Sequence, residues 1–272
     1  MEKIGEIRAH MESALAELEA AEAVCRTEDQ ERAAQLVSRL EALIEECSAD
    51  GRSGVQALAQ KARKRLFMLE REKERIWQLQ AFEREYASLG YVCGIDEVGR
   101  GPLAGPVVAG AVILPADCRL LYLNDSKQLS AKKRVELCQV ILENAVAVGI
   151  GCVGPERIDE INILQATYEA MRQAIGKLEK APAVLLNDAV TIPQVKLRQV
   201  PIIKGDAKSV SIAAASIVAK VTRDRMMEDY DTVFPGYGFA KNKGYGSAEH
   251  IGALRRMGPS PIHRKSFISG LL

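Results

Sequence analysis

Proline is absent from the first 101 of 272 residues, and all ten prolines fall at Pro102 or later. A stretch that avoids the residue most disruptive to helix interiors is free to be helical throughout. The apolar pattern agrees. Ile4, Ile7, Met11, Ala14, Leu18 and Ala21 recur at spacings of three and four, the stripe of one helix face. Glu28 and Asp29 suit the start of a second helix, whose stripe is Ala33, Val37, Leu40, Ile44 and Cys47. Asp50-Gly51 and Ser53-Gly54 break it, and a third helix is predicted over residues 55–88.

At Gly90 the character changes. Residues 91–95, 106–114, 145–153, 184–186 and 199–203 are short, apolar and β-branched, the pattern of buried strands. Residues 128–144 and 156–180 carry helical periodicity between them. A helix over 208–230 is small and apolar on nearly every side, which predicts a place inside the fold. Strands alternating with helices predict an α/β domain over 90–272, preceded by an all-helical extension over 1–89.

Charge divides the same way. The chain holds 37 Lys and Arg against 36 Asp and Glu, yet residues 1–60 hold 6 basic against 13 acidic, leaving 31 against 23 in the rest. The acidic front hides a basic body, which suits a nucleic-acid partner. Within the third helix, KARKRLFMLEREKER reads first as a solvated face with i,i+4 pairs and second as a contact for phosphates. The six cysteines form no CxxC pair and there are three histidines, so neither a thiolate zinc site nor a disulfide scaffold is expected. Reduced thiols in the cytoplasm are the simpler expectation. The acidic, amphipathic N-terminus is no signal peptide, and the apolar run Val107–Leu114 is too short to span a membrane.

The sharpest chemical feature is GIDEVGRGPLAGPVV at 94–108. A buried strand ends in Asp96 and Glu97, followed by Gly99, Arg100 and Gly101. Adjacent strand residues point to opposite faces, so both acids serve one site only if the strand bends, and Gly99 permits that. GRGPLA formally fits a dinucleotide fingerprint, but that loop must open a helix, and Pro102 and Pro106 lead instead into a strand-like run. Asp188 follows the strand at 184–186, where a plain turn role is equally open. Asp206 precedes the long helix, where capping is the ordinary role. Asp224 is its rival. Eighteen residues apart on a helix is roughly 27 Å, so one site cannot hold both. Asp224 sits among Lys220, Arg223 and Arg225, a surface ion pair by its neighbours, and Asp206 is preferred. Acids converging without His or Cys partners imply a hard cation, Mg²⁺ or Mn²⁺. His263 allows a structural, phosphate-side or catalytic role.

Taken together, GIDEVGRGPLAGPVVAGAVIL, LNDSKQLS, IIKGDAKSVSIAAASIVAKVTRDR, NKGYGS and GPSPIHRKSF resemble the bacterial ribonuclease HII family in sequence and order over residues 90–270. GlyArgGly after Asp-Glu is similar to type HII rather than type HIII. The helical front resembles the extension of Firmicutes-type members, mainly from residue 50. The resemblance implies a ribonuclease H-like fold, a central mixed sheet flanked by helices. It implies cleavage of RNA in RNA–DNA hybrids and incision 5′ to a ribonucleotide embedded in duplex DNA, by a monomer. The family's acidic positions fall on Asp96, Glu97, Asp188 and Asp206, as catalytic and metal ligands. Gly99, Arg100 and Gly101 would read the ribose 2′-hydroxyl, Tyr245 would pack on the sugar, and Lys127 would contact phosphate. Two positions depart from the pattern: Asn187 stands where an aliphatic residue is usual, and Ser247 where Thr is common. The alternative class is a non-catalytic nucleic-acid-binding or helical adaptor protein, and the extension could serve a protein partner.

Overall fold

The computed structural model describes residues 3–22, 27–116 and 118–271, with side chains in the second helix from residue 31. The expected helix-start roles of Glu28 and Asp29 lie outside the described side chains. Two units are distinguishable: residues 1–79 with 115–123, and residues 80–114 with 124–272.

The first unit packs α1 (Ile4–Glu22), α2 (Thr27–Ala49) and α3 (Ser53–Leu79) against one another. The predicted stripes supply its core. Ile7, Met11, Leu18, Leu40 and Ile44 are buried, with Val55, Ala59, Ala62, Leu69 and Ile76 from α3. Two details shift by a residue: Leu15 and Leu36 are buried where Ala14 and Val37 were expected. Acids of α1 meet bases of α3, Glu19 with Arg65 at 2.6 Å and Glu22 with Lys73 at 2.8 Å. The segment 115–123 is fastened to α3, where Arg75 donates to the Leu123 carbonyl and Glu72 accepts from the Tyr122 amide. The third helix ends at Leu79 rather than running to 88. After Gln80 the chain re-enters helix as α4 (Ala81–Tyr86), then a single 3₁₀ turn. No Gly or Pro marks that break in the sequence.

The second unit is built on β1 (Val92–Val98), β2 (Val107–Ile113), β3 (Ala147–Val153), β4 (Val184–Asp188) and β5 (Arg198–Ile202), in the order β3-β2-β1-β4-β5. The sheet is mixed: β3, β2 and β1 are antiparallel neighbours, while β1, β4 and β5 run parallel. Of its helices, α5 (Ala131–Asn144) packs on α7 (Val210–Val233), α7 covers one face of the sheet, and α6 (Pro155–Gly176) covers the other. Strand parity sorts the core. Cys93, Ile95, Val107, Ala109, Ala111 and Leu185 join α6 residues in one cluster, while Val92, Val184, Leu186 and Ile202 join Ile212 of α7. Both helices lie almost on the sheet backbone. A Cβ at Gly94 would stand 2.0 Å from the Ser211 carbonyl carbon, and one at Gly151 1.8 Å from the Ala170 oxygen. The expected buried helix is α7, with Val210 to Ala219 buried throughout. The short helices α8 (Phe239–Asn242), α9 (Ala248–Met257) and α10 (Lys265–Ile268) complete the unit.

Cys25 lies outside the described residues. Cys93, Cys138 and Cys152 are free thiols, whereas Cys118 is disulfide-bonded, which corrects the expectation of reduced cysteines throughout. Among the described residues no helix is long and apolar enough to cross a membrane.

Candidate active site

Strand pairing brings the acids together. In the parallel β1–β4 pair Ile95 stands beside Asn187, so Asp96 and Asp188 follow at neighbouring carboxyl-terminal ends. In open sheets this is where ligand crevices form. Asp96 shares the strand face of Gly94, and Asp188 that of Leu186, so both face α7. Asp206 lies in the 3₁₀ turn Gly205–Ala207 just before that helix. The turn is tied to Asp188, whose Oδ1 accepts from the Gly205 amide at 2.7 Å. The backbone is left-handed at Ala189 and at Lys204, so the chain bends sharply at both acid-bearing ends.

Burial and mutual repulsion dominate the electrostatics. The Asp96 carboxyl is held well above the usual range by burial, then by Glu97 and Asp188, partly offset by the Ser216 hydroxyl, which itself lies 3.0 Å from Ser126 Oγ. Burial raises Glu97, and Arg100, 3.3 Å away, partly offsets it. Burial, Asp125 and Asp188 raise Asp206, and Lys127 opposes them. Lys127 itself is exposed. The Oε2 atom of Glu97 is buried without a hydrogen-bond partner. A buried carboxylate oxygen that lacks a donor, among like charges, is matched to a cation. Among the described residues no three Asp, Glu, His or Cys side chains form a ready-made metal-holding group.

Beside the acids lies the glycine loop. Gly99 has φ +89°, and a Cβ there would stand 2.2 Å from Nε of Arg223. Two fully buried arginines hold the loop from below. Arg264 donates to the carbonyls of Gly99, Arg100 and Gly105. Arg223 donates to those of Pro106, Ala104 and Lys243. Among the described residues neither forms an ion pair with a carboxylate; their charge is spread over carbonyl dipoles. Burial lowers both, Arg264 to about 9. With the Gly99 and Arg100 carbonyls bound from inside, Gly99 is buried while Arg100 and Gly101 are exposed. Tyr245 completes this wall: its ring lies 3.8 Å from where a Gly101 Cβ would be, and the ring is half-exposed.

Several of these residues escape sequence reasoning. Ser216, Arg223 and Arg264 look like ordinary helix or surface residues. Asp125 is silent without the fold. Asp224 takes the expected ion pair, 2.6 Å from Lys220. The loop after Gly101 leads into β2, not a helix, so the dinucleotide fingerprint has no helix to open. Asn187 is fully buried and donates to Gln199, whose side chain also bonds Ile192 and Val195. That partner satisfies the Asn187 amide nitrogen, while its Oδ1 is buried without a hydrogen-bond partner.

The sheet order and its two helical layers define a ribonuclease H-like fold. A solved complex of PCNA and RNase HII from Archaeoglobus fulgidus contains a chain with TM-score 0.57 and 29% identity, covering 66% of this chain and 94% of that one. The ribonuclease H2 of Pyrococcus horikoshii aligns with TM-score 0.55 at 29% identity, over 65% and 93%. The family model Ribonuclease HII matches residues 93–269, and Ribonuclease HII N-terminal domain matches residues 28–87. The ribonuclease HII of Lachnoclostridium phytofermentans is 67% identical over 82% of this chain and 87% of its own. That of Clostridioides difficile is 54% identical over 84% and 91%. The chain belongs to the ribonuclease HII family and is a ribonuclease H enzyme. The extension match begins at residue 28, well before residue 50, from which the resemblance in sequence mainly runs.

Proposed function

We propose that this ribonuclease H is a metal-dependent endonuclease that cuts the RNA strand of RNA–DNA hybrids. On the same reading it incises 5′ to ribonucleotides embedded in duplex DNA, leaving 3′-hydroxyl and 5′-phosphate ends. The observation that carries it is the junction of Asp96, Glu97, Asp188 and Asp206 with a glycine loop held open by Arg264. Asp96, Glu97, Asp188 and Asp206 would hold Mg²⁺ or Mn²⁺. Oxygen-only donors and an orphaned Glu97 oxygen suit a hard cation. When bound, such ions supply charge neutralisation at the scissile phosphate and activation of water. The chain's own residues do the positioning. Gly205 orients Asp188, and Gly99, Arg100 and Gly101 meet the 2′-hydroxyl that separates RNA from DNA. Tyr245 packs on the neighbouring sugar, and Lys127 meets a phosphate.

The division of labour assigns catalysis to residues 90–272 and added affinity to the helical extension 1–89. Exposed Lys61, Arg63 and Lys64 are the phosphate-facing part of α3, since Arg65, Lys73 and Arg75 are occupied by acids. The enzyme acts as a cytoplasmic monomer on hybrids and ribonucleotide-containing duplexes, with the acidic front open to a protein partner. The test is a DNA duplex carrying one ribonucleotide. Incision in Mg²⁺ or Mn²⁺, lost in Asp96→Asn, is expected. Tight binding without turnover in either metal would favour a non-catalytic adaptor.

A further inference from the structure

His250 and His263 are buried side by side, and the hydrogen bonds around them fix every proton. Nδ1 of His250 lies 2.8 Å from the Tyr245 carbonyl oxygen, which can only accept, so His250 carries its proton on Nδ1. Nδ1 of His263 receives the Ser260 amide at 2.9 Å, so that nitrogen is bare and the proton sits on Nε2. The two Nε2 atoms are 3.0 Å apart, and only one proton fits between them. His263 therefore donates to His250. Donation runs one way, from the Ser260 amide through both rings to the backbone of Tyr245. Adding a proton to either ring would set two donors face to face.

The surroundings keep the pair in place. Tyr237 and Phe239 pack on both rings, with centroids 5.0–6.4 Å away. Burial lowers the proton affinity of both histidines, His263 to about 4. Tyr245 is the end of the chain and the half-exposed aromatic facing Gly101. Its carbonyl also accepts the Ser247 amide, the N-cap of α9. One backbone oxygen thus anchors the loop that presents the ring.

We propose that His250 and His263 are positioning residues for Tyr245, a neutral, one-directional hydrogen-bond chain that sets the ring at its distance from Gly101. The proposal rests on the reading of Tyr245 as the sugar-packing residue. It assigns the histidines no contact with substrate and no proton transfer.

Two measurements test it. In ¹⁵N-histidine NMR of the full-length enzyme without substrate, His250 should appear as the Nδ1–H tautomer and His263 as the Nε2–H tautomer near neutral pH. The Tyr245 ring should show a nuclear Overhauser contact to the Gly101 α-protons. His250→Leu should remove that contact, and His250→Asn, whose amide can still donate to the Tyr245 carbonyl, should keep it. Reversed tautomers, or a contact that survives His250→Leu, would overturn the proposal whether or not the protein cleaves anything. The second measurement is kinetic. His250→Leu should raise KM for a single-ribonucleotide duplex by about tenfold with a smaller change in kcat, the weight of one lost hydrogen bond. His250→Asn should recover most of it. In a Tyr245→Ala background His250→Leu should add nothing. Equal effects in both backgrounds would show a general structural role and sink the idea. An unchanged KM in Tyr245→Ala would remove the Tyr245 assignment and this proposal together, while leaving the nuclease reading intact.

Discussion

Arg264 donates through Nη2 to the carbonyl of Gly99 at 2.5 Å, beneath the loop that carries Arg100 and Gly101. A planar guanidinium reaches three carbonyls at once, while an ammonium on a flexible stem cannot reproduce that fork. Arg264→Lys keeps the charge and loses the geometry. It should lower stability by about 2 kcal/mol and raise KM for ribonucleotide-containing duplexes more than it lowers kcat. Chemical denaturation and steady-state kinetics on the same preparation check both.

The raised carboxyls make metal-free stability depend on pH in a defined direction. Asp96, Glu97 and Asp206 hold protons in the folded state above the ordinary carboxylate value of ~4. As pH rises from there through their raised folded values, the unfolded chain binds fewer protons than the folded one, so stability falls. Without divalent ions Tm should drop across that window, and Asp96→Asn should drop less. Mg²⁺ should restore Tm most at the alkaline side. A metal-free Tm that climbs steadily over the same range in the wild type but not in Asp96→Asn would contradict the assignment.

The helix α4 belongs to the extension by sequence and to the sheet-bearing unit by packing. Its Glu83 is half-buried, accepts from Ser209 Oγ and the Ser211 amide, and so caps the start of α7. Deleting residues 1–79 should leave the catalytic unit folded. Deleting residues 1–89 should cost about 1–3 kcal/mol more, through the lost cap and packing. Thermal melts of the two truncations separate these outcomes.

On α3 two groups of basic residues stand apart. Replacing Lys61, Arg63 and Lys64 together by Glu should weaken hybrid binding and flatten its salt dependence with little loss of stability. Arg65→Glu and Lys73→Glu should instead lower Tm, because each meets an acid of α1. Salt titrations of binding, beside melting curves, distinguish the groups.

Much of this was legible in the sequence because it depends on period. The five strands lie within a few residues of their predicted places, since β-branched runs bounded by Gly and Pro have few other solutions. The helical front was legible from its stripes. The break at Gln80 was not, because a helix that ends by tertiary packing carries no Gly or Pro to announce it. The acids of the candidate site stood out as carboxylates at strand ends. Ser216, Arg223 and Arg264 did not. Arg223 sits in ThrArgAspArg, which reads as solvent-facing, and only the folded chain shows carbonyls converging on it. The cysteine reading failed at Cys118, because spacing along the chain says nothing of proximity in space.

One helix connects nearly everything described. Within a single span, α7 is capped by Glu83 at its start, brings the Ser216 hydroxyl to act on the Asp96 carboxyl two turns on, and grips the glycine loop through Arg223 two turns further. A residue inserted between Ser209 and Arg223 would rotate all that follows by about 100°. Arg223 would swing off its carbonyls while Ser216 stayed, or the reverse. Length variation across relatives should therefore collect in the loops and spare this span, whatever substitutions it accepts. It is a gauge whose markings can change while their spacing cannot.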